Sequence, residues 1–185
     1  MKFISFNHDN SEKFGIIENN LITDLTGKID GALSLKELIK IKKIKEAKEY
    51  AKSNPGSIKP DEIKYSPLIP NPGKIICVGL NYSEHVKETN RTVEENPVIF
   101  HRFPESQTAH MQAIQRPTVS ESLDFEGEMA VVMDEGGKHI KPEDALKHIV
   151  GFSCYNESTI REWQRHTRQF GMGKNFEKTG SFGPH

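Results

Sequence analysis

Leu123-Asp124-Phe125-Glu126-Gly127-Glu128-Met129-Ala130-Val131-Val132-Met133 is the stretch on which the reading of this chain turns. Its second half is a continuous apolar run, the pattern of a buried strand. Successive side chains of a strand point to opposite faces, so Glu126, Glu128, Ala130 and Val132 share one. Two carboxylates side by side at the edge of a core repel each other and lose hydration. A positive group between them relieves both costs. Donors that are all oxygen suit a hard cation, Mg²⁺ first, with Mn²⁺ or Ca²⁺ as alternatives. Gly127, without a side chain, lets another group approach closely. The alternative is an edge strand whose two glutamates are solvated.

Working outward, a third carboxylate stands at the end of Val150-Gly151-Phe152-Ser153-Cys154-Tyr155, a strand pattern that runs into Asn156-Glu157. Thr159 and Glu162 form a capping-box spacing, which starts a helix near Thr159. At helical spacing Glu157, Arg161, Gln164 and Arg168 fall on one face, so Glu157 can complete a cation site and Arg161 and Gln164 extend it toward a bound anion. A solvated helix face is the competing reading. Upstream, Lys74–Val78 reads as a second buried strand leading to Tyr82 and a short helix capped by Ser83. On that helix His85 and Glu88 are spaced i,i+3, close enough to meet, and a carboxylate orienting a histidine makes a general base. Tyr82, beside that pair at the strand end, is a candidate substrate contact. Thr89 to Asn96 is polar and aperiodic, the composition of a mobile loop. Val98–Phe100 is a third strand, after which Arg102 serves either an anionic substrate or a structural ion pair. Pro142–His148 reads as a helix with proline in its first turn. The Gly171-Met172-Gly173-Lys174 piece lacks the spacing of a phosphate-binding loop.

Residues 1–65 read as a small N-terminal module and 66–185 as the module that carries the chemistry. In the first, Lys2–Phe6, Phe14–Ile17 and Leu21–Leu25 are strand candidates with a turn at Asn19-Asn20, and Leu33 to Lys52 reads as a helix capped by Ser34. Prolines 55, 60, 67, 70 and 72 punctuate the junction. A formal net charge of −1 gives no argument for a nucleic acid or anionic membrane partner. No apolar run approaches the roughly 20 residues of a membrane span, and the N-terminus turns polar too soon for a signal peptide. The two cysteines, Cys77 and Cys154, sit in apolar segments and are expected as buried free thiols in a reducing cytoplasm.

Together these pieces resemble the fumarylacetoacetate hydrolase family. The matching blocks are Lys-Ile-Ile-Cys-Val-Gly-Leu-Asn-Tyr-x-x-His-x-x-Glu at 74–88, Leu-Asp-Phe-Glu-Gly-Glu-Met-Ala-Val-Val at 123–132, Gly-Phe-Ser-Cys-Tyr-Asn-Glu at 151–157, Arg-x-x-Gln at 161–164 and Gly-Lys-Asn-Phe at 173–176. The resemblance implies an α+β, mainly β fold: a mixed β roll with a small N-terminal α/β module. It implies a divalent cation on Glu126, Glu128 and Glu157, a water-activating dyad of His85 and Glu88, and substrate-facing Lys174, Arg161 and Gln164. Relatives continue past Gly-Pro with further strands, so the chain reads as truncated. Glu157 replaces a common aspartate, Arg102 a common lysine, and Ala109, Met111 and Ala113 stand where one branch carries Gly, Gly and Pro. The implied activity is hydrolytic C–C cleavage of an acylpyruvate or β-diketo acid in aromatic-compound catabolism, by a cytoplasmic homodimer. Isomerisation, hydration or decarboxylation of a similar oxo-acid is the alternative. A catalytically silent binding or assembly protein is the reading from another class.

Overall fold

In this computed structural model residues 1–82 and 96–185 are described. The expected His85–Glu88 dyad, the Ser83 cap and all but the last residue of the expected loop from Thr89 to Asn96 lie outside the described residues.

The N-terminal part is a meander whose turns are written in asparagine. β1 (Lys2–His8), β2 (Ser11–Glu18) and β3 (Leu21–Asp24) pair antiparallel in order. The two links between them, Asp9-Asn10 and Asn19-Asn20, have φ of 52°, 59°, 51° and 60°. Two successive left-handed residues make the tight hairpin turn that matches strand twist, and Asn and Asp tolerate it better than other side-chain residues. β4 (Lys64–Tyr65) adds to the free edge of β1.

The single helix expected from Leu33 to Lys52 is two. α1 (Leu35–Lys40) is capped by Ser34, whose Oγ accepts the Glu37 N–H at 3.2 Å, and α2 covers Ile44–Ser53. The apolar phase changes between them: Leu35, Leu38 and Ile39 face the core from the first, Ala47 and Ala51 from the second. Lys42 at φ +58° makes the bend that brings both faces inward.

The rest is built of β5 (Ile75–Gly79), β6 (Val98–Arg102), β7 (Gln107–Thr108), β8 (Leu123–Asp124), β9 (Gly127–Met133), β10 (Ile149–Glu157), β11 (Thr159–Ile160) and β12 (Gly180–Phe182). One sheet runs β7-β12-β10-β9, with β7 and β12 parallel; β5–β6 and β8–β11 are separate antiparallel pairs. Two four-residue helices, α3 (Arg161–Gln164) and α4 (Gly171–Lys174), follow β11. Pro142–His148 is a 3₁₀ helix. The fold is mainly β with few helices, as the resemblance implies.

One hydrophobic cluster joins the two parts of the chain. Phe14, Ile16, Leu25, Leu35 and Leu38 belong to it together with Leu68, Tyr155 and Phe182, and Ala130, Val132 and Val150 pack against it. The strands at 75–79 and 127–133 are half-buried rather than buried: Ile76 and Val78 on one, Met129, Val131 and Met133 on the other, face outward. Cys154 likewise lies exposed, because it alternates with Tyr155 to the outer face; both cysteines are free. The Leu123–Met133 run is also interrupted at Phe125-Glu126, where the chain leaves the β8–β11 pair and enters the larger sheet. That break delivers Glu126 to the site.

Candidate active site

Strand periodicity assembles the acidic face. In the β9–β10 ladder Glu128 opposes Tyr155 and Gly127 opposes Asn156. The Glu157 N–H then donates to the Glu126 carbonyl at 2.8 Å, which carries the ladder one step further. With a period of two, Glu126, Glu128, Tyr155 and Glu157 lie on one face.

Onto that face Lys174 projects from α4, 1% exposed, and its Nζ donates to Glu126 Oε1 at 3.0 Å and to Glu157 Oε2. Glu157 Oε1 accepts from Arg102 Nη1 at 2.7 Å. Glu126 Oε1 also takes the Thr159 hydroxyl at 2.5 Å and faces Arg161 Nη1 at 2.9 Å. Asp124 Oδ2 completes the series, accepting the Arg161 Nε–H at 2.8 Å and facing Nη2 at 2.7 Å. The result is a chain of alternating charge, Arg102–Glu157–Lys174–Glu126–Arg161–Asp124. Burial raises the Glu157 carboxyl above the usual carboxylate range, with Lys174 and Arg102 pulling against it. Burial also pushes the Glu126 carboxyl up, but Lys174, Thr159 and Arg161 outweigh it and hold this group below its ordinary value.

Several sequence expectations resolve differently here. Arg102 is 2% exposed and spends its donors inside the protein, on Glu157, the Ser158 carbonyl at 3.1 Å, Thr179 Oγ1 at 2.8 Å and Ser106 Oγ at 3.2 Å. Of the two readings weighed for it, this is the geometry of a structural ion pair. Thr159 does not cap a helix; it sits in β11 and its hydroxyl donates to the Glu126 carboxylate, a charge-assisted hydrogen bond. The helix ends at Gln164, so Arg168 is exposed and away from the Glu157–Arg161–Gln164 line. Gln164 Oε1 accepts from Arg161 Nη1 at 3.1 Å. Tyr82 is half exposed, and Glu128 beside it, within hydrogen-bond reach, lifts its phenol above the ordinary value. Cys77 also faces the cluster: burial pushes its thiol up to about 12, with Glu157 adding to the effect, which leaves it a neutral neighbour.

Sequence reading passed over two residues that place Lys174. Asn175 ties the end of α4 to β6, its Oδ1 accepting the Phe103 N–H at 2.7 Å and its Nδ2 donating to the His101 carbonyl at 3.0 Å. Gly173 lets α4 lie directly against α3: a Cβ there would stand 2.6 Å from the Gln164 nitrogen and 2.6 Å from the Ile160 oxygen. Backbone cannot rotate out of the way. Gly173→Ala is therefore expected to destabilise by about 1–3 kcal/mol, the usual cost of overpacking, and to withdraw Lys174 from the carboxylates. Urea denaturation checks the first effect; a variant as stable as the parent refutes the close packing.

For the divalent cation that the resemblance implies, the donors fit by chemistry, being three carboxylates on one sheet face. In the side-chain positions seen here Glu126 and Glu157 turn to Lys174, and among the described residues no three His, Cys, Asp or Glu side chains are gathered closely enough to hold an ion.

Mixed β architecture around an acidic sheet face with a buried lysine defines the class, and comparison with known proteins agrees. Residues 74–185 match the sequence profile of "Fumarylacetoacetate (FAA) hydrolase C-terminal", so the chain belongs to the fumarylacetoacetate hydrolase family, a family of enzymes. Oxaloacetate tautomerase Fahd2a, mitochondrial, of Rattus norvegicus is 38% identical over 124 residues, 66% of this chain and 40% of that protein. The chain thus spans about 40% of the length of this relative. A fumarylacetoacetate hydrolase from psychrophilic Exiguobacterium antarcticum superposes over the whole chain and 65% of its own, with a TM-score of 0.84 and 29% identity. Maleylpyruvate hydrolase from Sphingobium sp. SYK-6, in complex with manganese(II) and pyruvate, shares the fold at a TM-score of 0.79 and 18% identity, over 100% of this chain and 66% of its own.

Proposed function

We propose that this chain carries the active-site face of a divalent-cation-dependent enzyme that forms and stabilises the enolate of a small 2-oxo acid, and that its reaction is keto–enol tautomerisation of an oxo-dicarboxylic acid. The observation that carries the reading is the Lys174 ammonium, buried between Glu126 and Glu157 with Arg161 beside it. A fixed positive charge in a site shielded from water stabilises negative charge that develops on an oxygen. The likeness to an oxaloacetate tautomerase supports the choice of reaction.

Glu126, Glu128 and Glu157 would hold the cation, which would supply Lewis-acid polarisation of the substrate carbonyl. Lys174 would face the developing enolate oxygen. Arg161, steadied by Gln164, would meet a substrate carboxylate. His85 oriented by Glu88, expected from sequence, would take the proton from the carbon beside the carbonyl, and the oxygen would regain one. A reducing compartment such as the cytoplasm agrees with the two free thiols, and a homodimer remains part of the reading. No helix of the described residues is long and apolar enough to cross a membrane.

Hydrolytic C–C cleavage of an acylpyruvate is the second reading, favoured by the 29% identity to a fumarylacetoacetate hydrolase; there His85 would deprotonate water instead. The test follows the ultraviolet absorbance of enol-oxaloacetate, with an acylpyruvate panel in parallel, under Mg²⁺ and Mn²⁺. Cation-dependent acceleration of enol decay without acylpyruvate cleavage is the expected result. Cleavage without tautomerisation hands the site to the second reading.

A further inference from the structure

We propose that Asp124 is a positioning residue that fixes the plane of the Arg161 guanidinium and so sets the affinity of the site for the carboxylate of a dicarboxylic oxo-acid. The inference rests on the reading of Arg161 as a substrate contact.

The geometry comes from the β8–β11 pair. Thr159 opposes Asp124 and Ile160 opposes Leu123, and the Arg161 N–H donates to the Ser122 carbonyl at 3.1 Å. Asp124 therefore stands two ladder positions from Arg161, and its Oδ2 accepts the Nε–H at 2.8 Å and lies in ion-pair contact with Nη2 at 2.7 Å. A hydrogen bond and an ion contact along one edge of a planar cation restrict its rotation. The opposite nitrogen, Nη1, is thereby aimed at Glu126 and at Gln164.

A purely structural role is a poor account of this pair. The Asp124 side chain is 47% exposed, and ion pairs in water contribute little to stability. What the pair does supply is order: an arginine side chain otherwise samples many rotamers, and binding would have to select one. Asp124 selects it beforehand.

The expected results separate this from stability. Asp124→Ala should melt within a few degrees of the parent, raise KM for oxaloacetate about tenfold, and change kcat little, as loss of a binding orientation does. Asp124→Asn, which keeps one acceptor oxygen, should fall between. In an Arg161→Ala background Asp124→Ala should cost nothing more, because its effect runs through the arginine. Calorimetry with oxalate, in the presence of Mn²⁺, reads the same series without turnover. An unchanged KM and oxalate affinity in Asp124→Ala, or an equal loss in the Arg161→Ala background, overturns the role of Asp124. Oxalate binding that depends on Asp124 in a chain that does not tautomerise oxaloacetate supports the positioning role and overturns the proposed reaction instead. A chain that neither turns over oxaloacetate nor binds oxalate overturns both.

Discussion

Lys174→Met is expected to lower turnover by about 10²–10³, the usual loss when one fixed donor to a developing oxyanion is removed. The same substitution should cost about 3–5 kcal/mol of stability, because it removes the cation between two buried carboxylates and leaves Glu157 only Arg102 and Glu126 only Arg161. Both effects have one origin. Lys174 is 1% exposed and its ammonium lies between two carboxylates whose side chains are themselves only 19% and 7% exposed. Methionine fills much of the same volume, so packing is not the variable. What disappears is the positive charge that lets Glu126 and Glu157 face each other. Without it both carboxyls should titrate at higher pH in the folded variant than in the folded parent. Groups shifted that way favour folding once protonated, so the deficit of the variant should shrink as pH falls into the carboxylate range. Urea denaturation of parent and variant at several pH values, with chelator present, measures this. A deficit that stays constant or grows on acidification would show that the lysine contributes by packing alone.

The charged face was legible in the sequence to the extent that it obeys short periods. Glu126 and Glu128 share a face because strands repeat every two residues, and Glu157 joins them because the ladder places it opposite Glu126. The Asn19-Asn20 pair marked one hairpin turn for the same local reason; the Asp9-Asn10 turn went unread. What could not be read is everything decided by partners distant in the chain. Thr159 has the spacing of a cap, yet it lies in a strand and its hydroxyl donates to a carboxylate 33 residues away. The Leu33–Lys52 helix breaks because two apolar faces, out of phase, both have a core to meet. Lys174 in a Gly-x-Gly-Lys run carries no local sign of burial; the tight contact of Gly173 with α3 and the Asn175 tether to β6 place it. A lone glycine before a lysine was the available signal, and only a close approach gives it meaning.

Arg102 presents the second large expected effect, and here stability and chemistry can be separated. Its guanidinium is fully enclosed and its side chain bonds Glu157, Ser158, Thr179 and Ser106, so it acts as a buried hub with no contact to solvent. Arg102→Met should destabilise by about 3–5 kcal/mol, since Glu157 keeps its charge and loses one of its two cations. Replacing the pair together, Arg102→Met with Glu157→Met, should recover much of that loss, because an apolar pair of similar volume is often as stable as a buried ion pair. Lys174 is not orphaned by the double change, as it keeps Glu126. Activity should not return, because the face then lacks the carboxylate that turns one oxygen to Arg102 and the other to Lys174. Arg102→Lys should fall between parent and Met: an ammonium keeps the charge but cannot spread its donors over four acceptors as a planar fork does. Denaturation curves for the four proteins, read with their turnover, decide the matter. Should Arg102→Met lie within about 1 kcal/mol of the parent, the scale of an exposed pair, the guanidinium does not hold Glu157 in place. Should the double variant recover activity along with stability, the Glu157 carboxylate is not part of the chemistry.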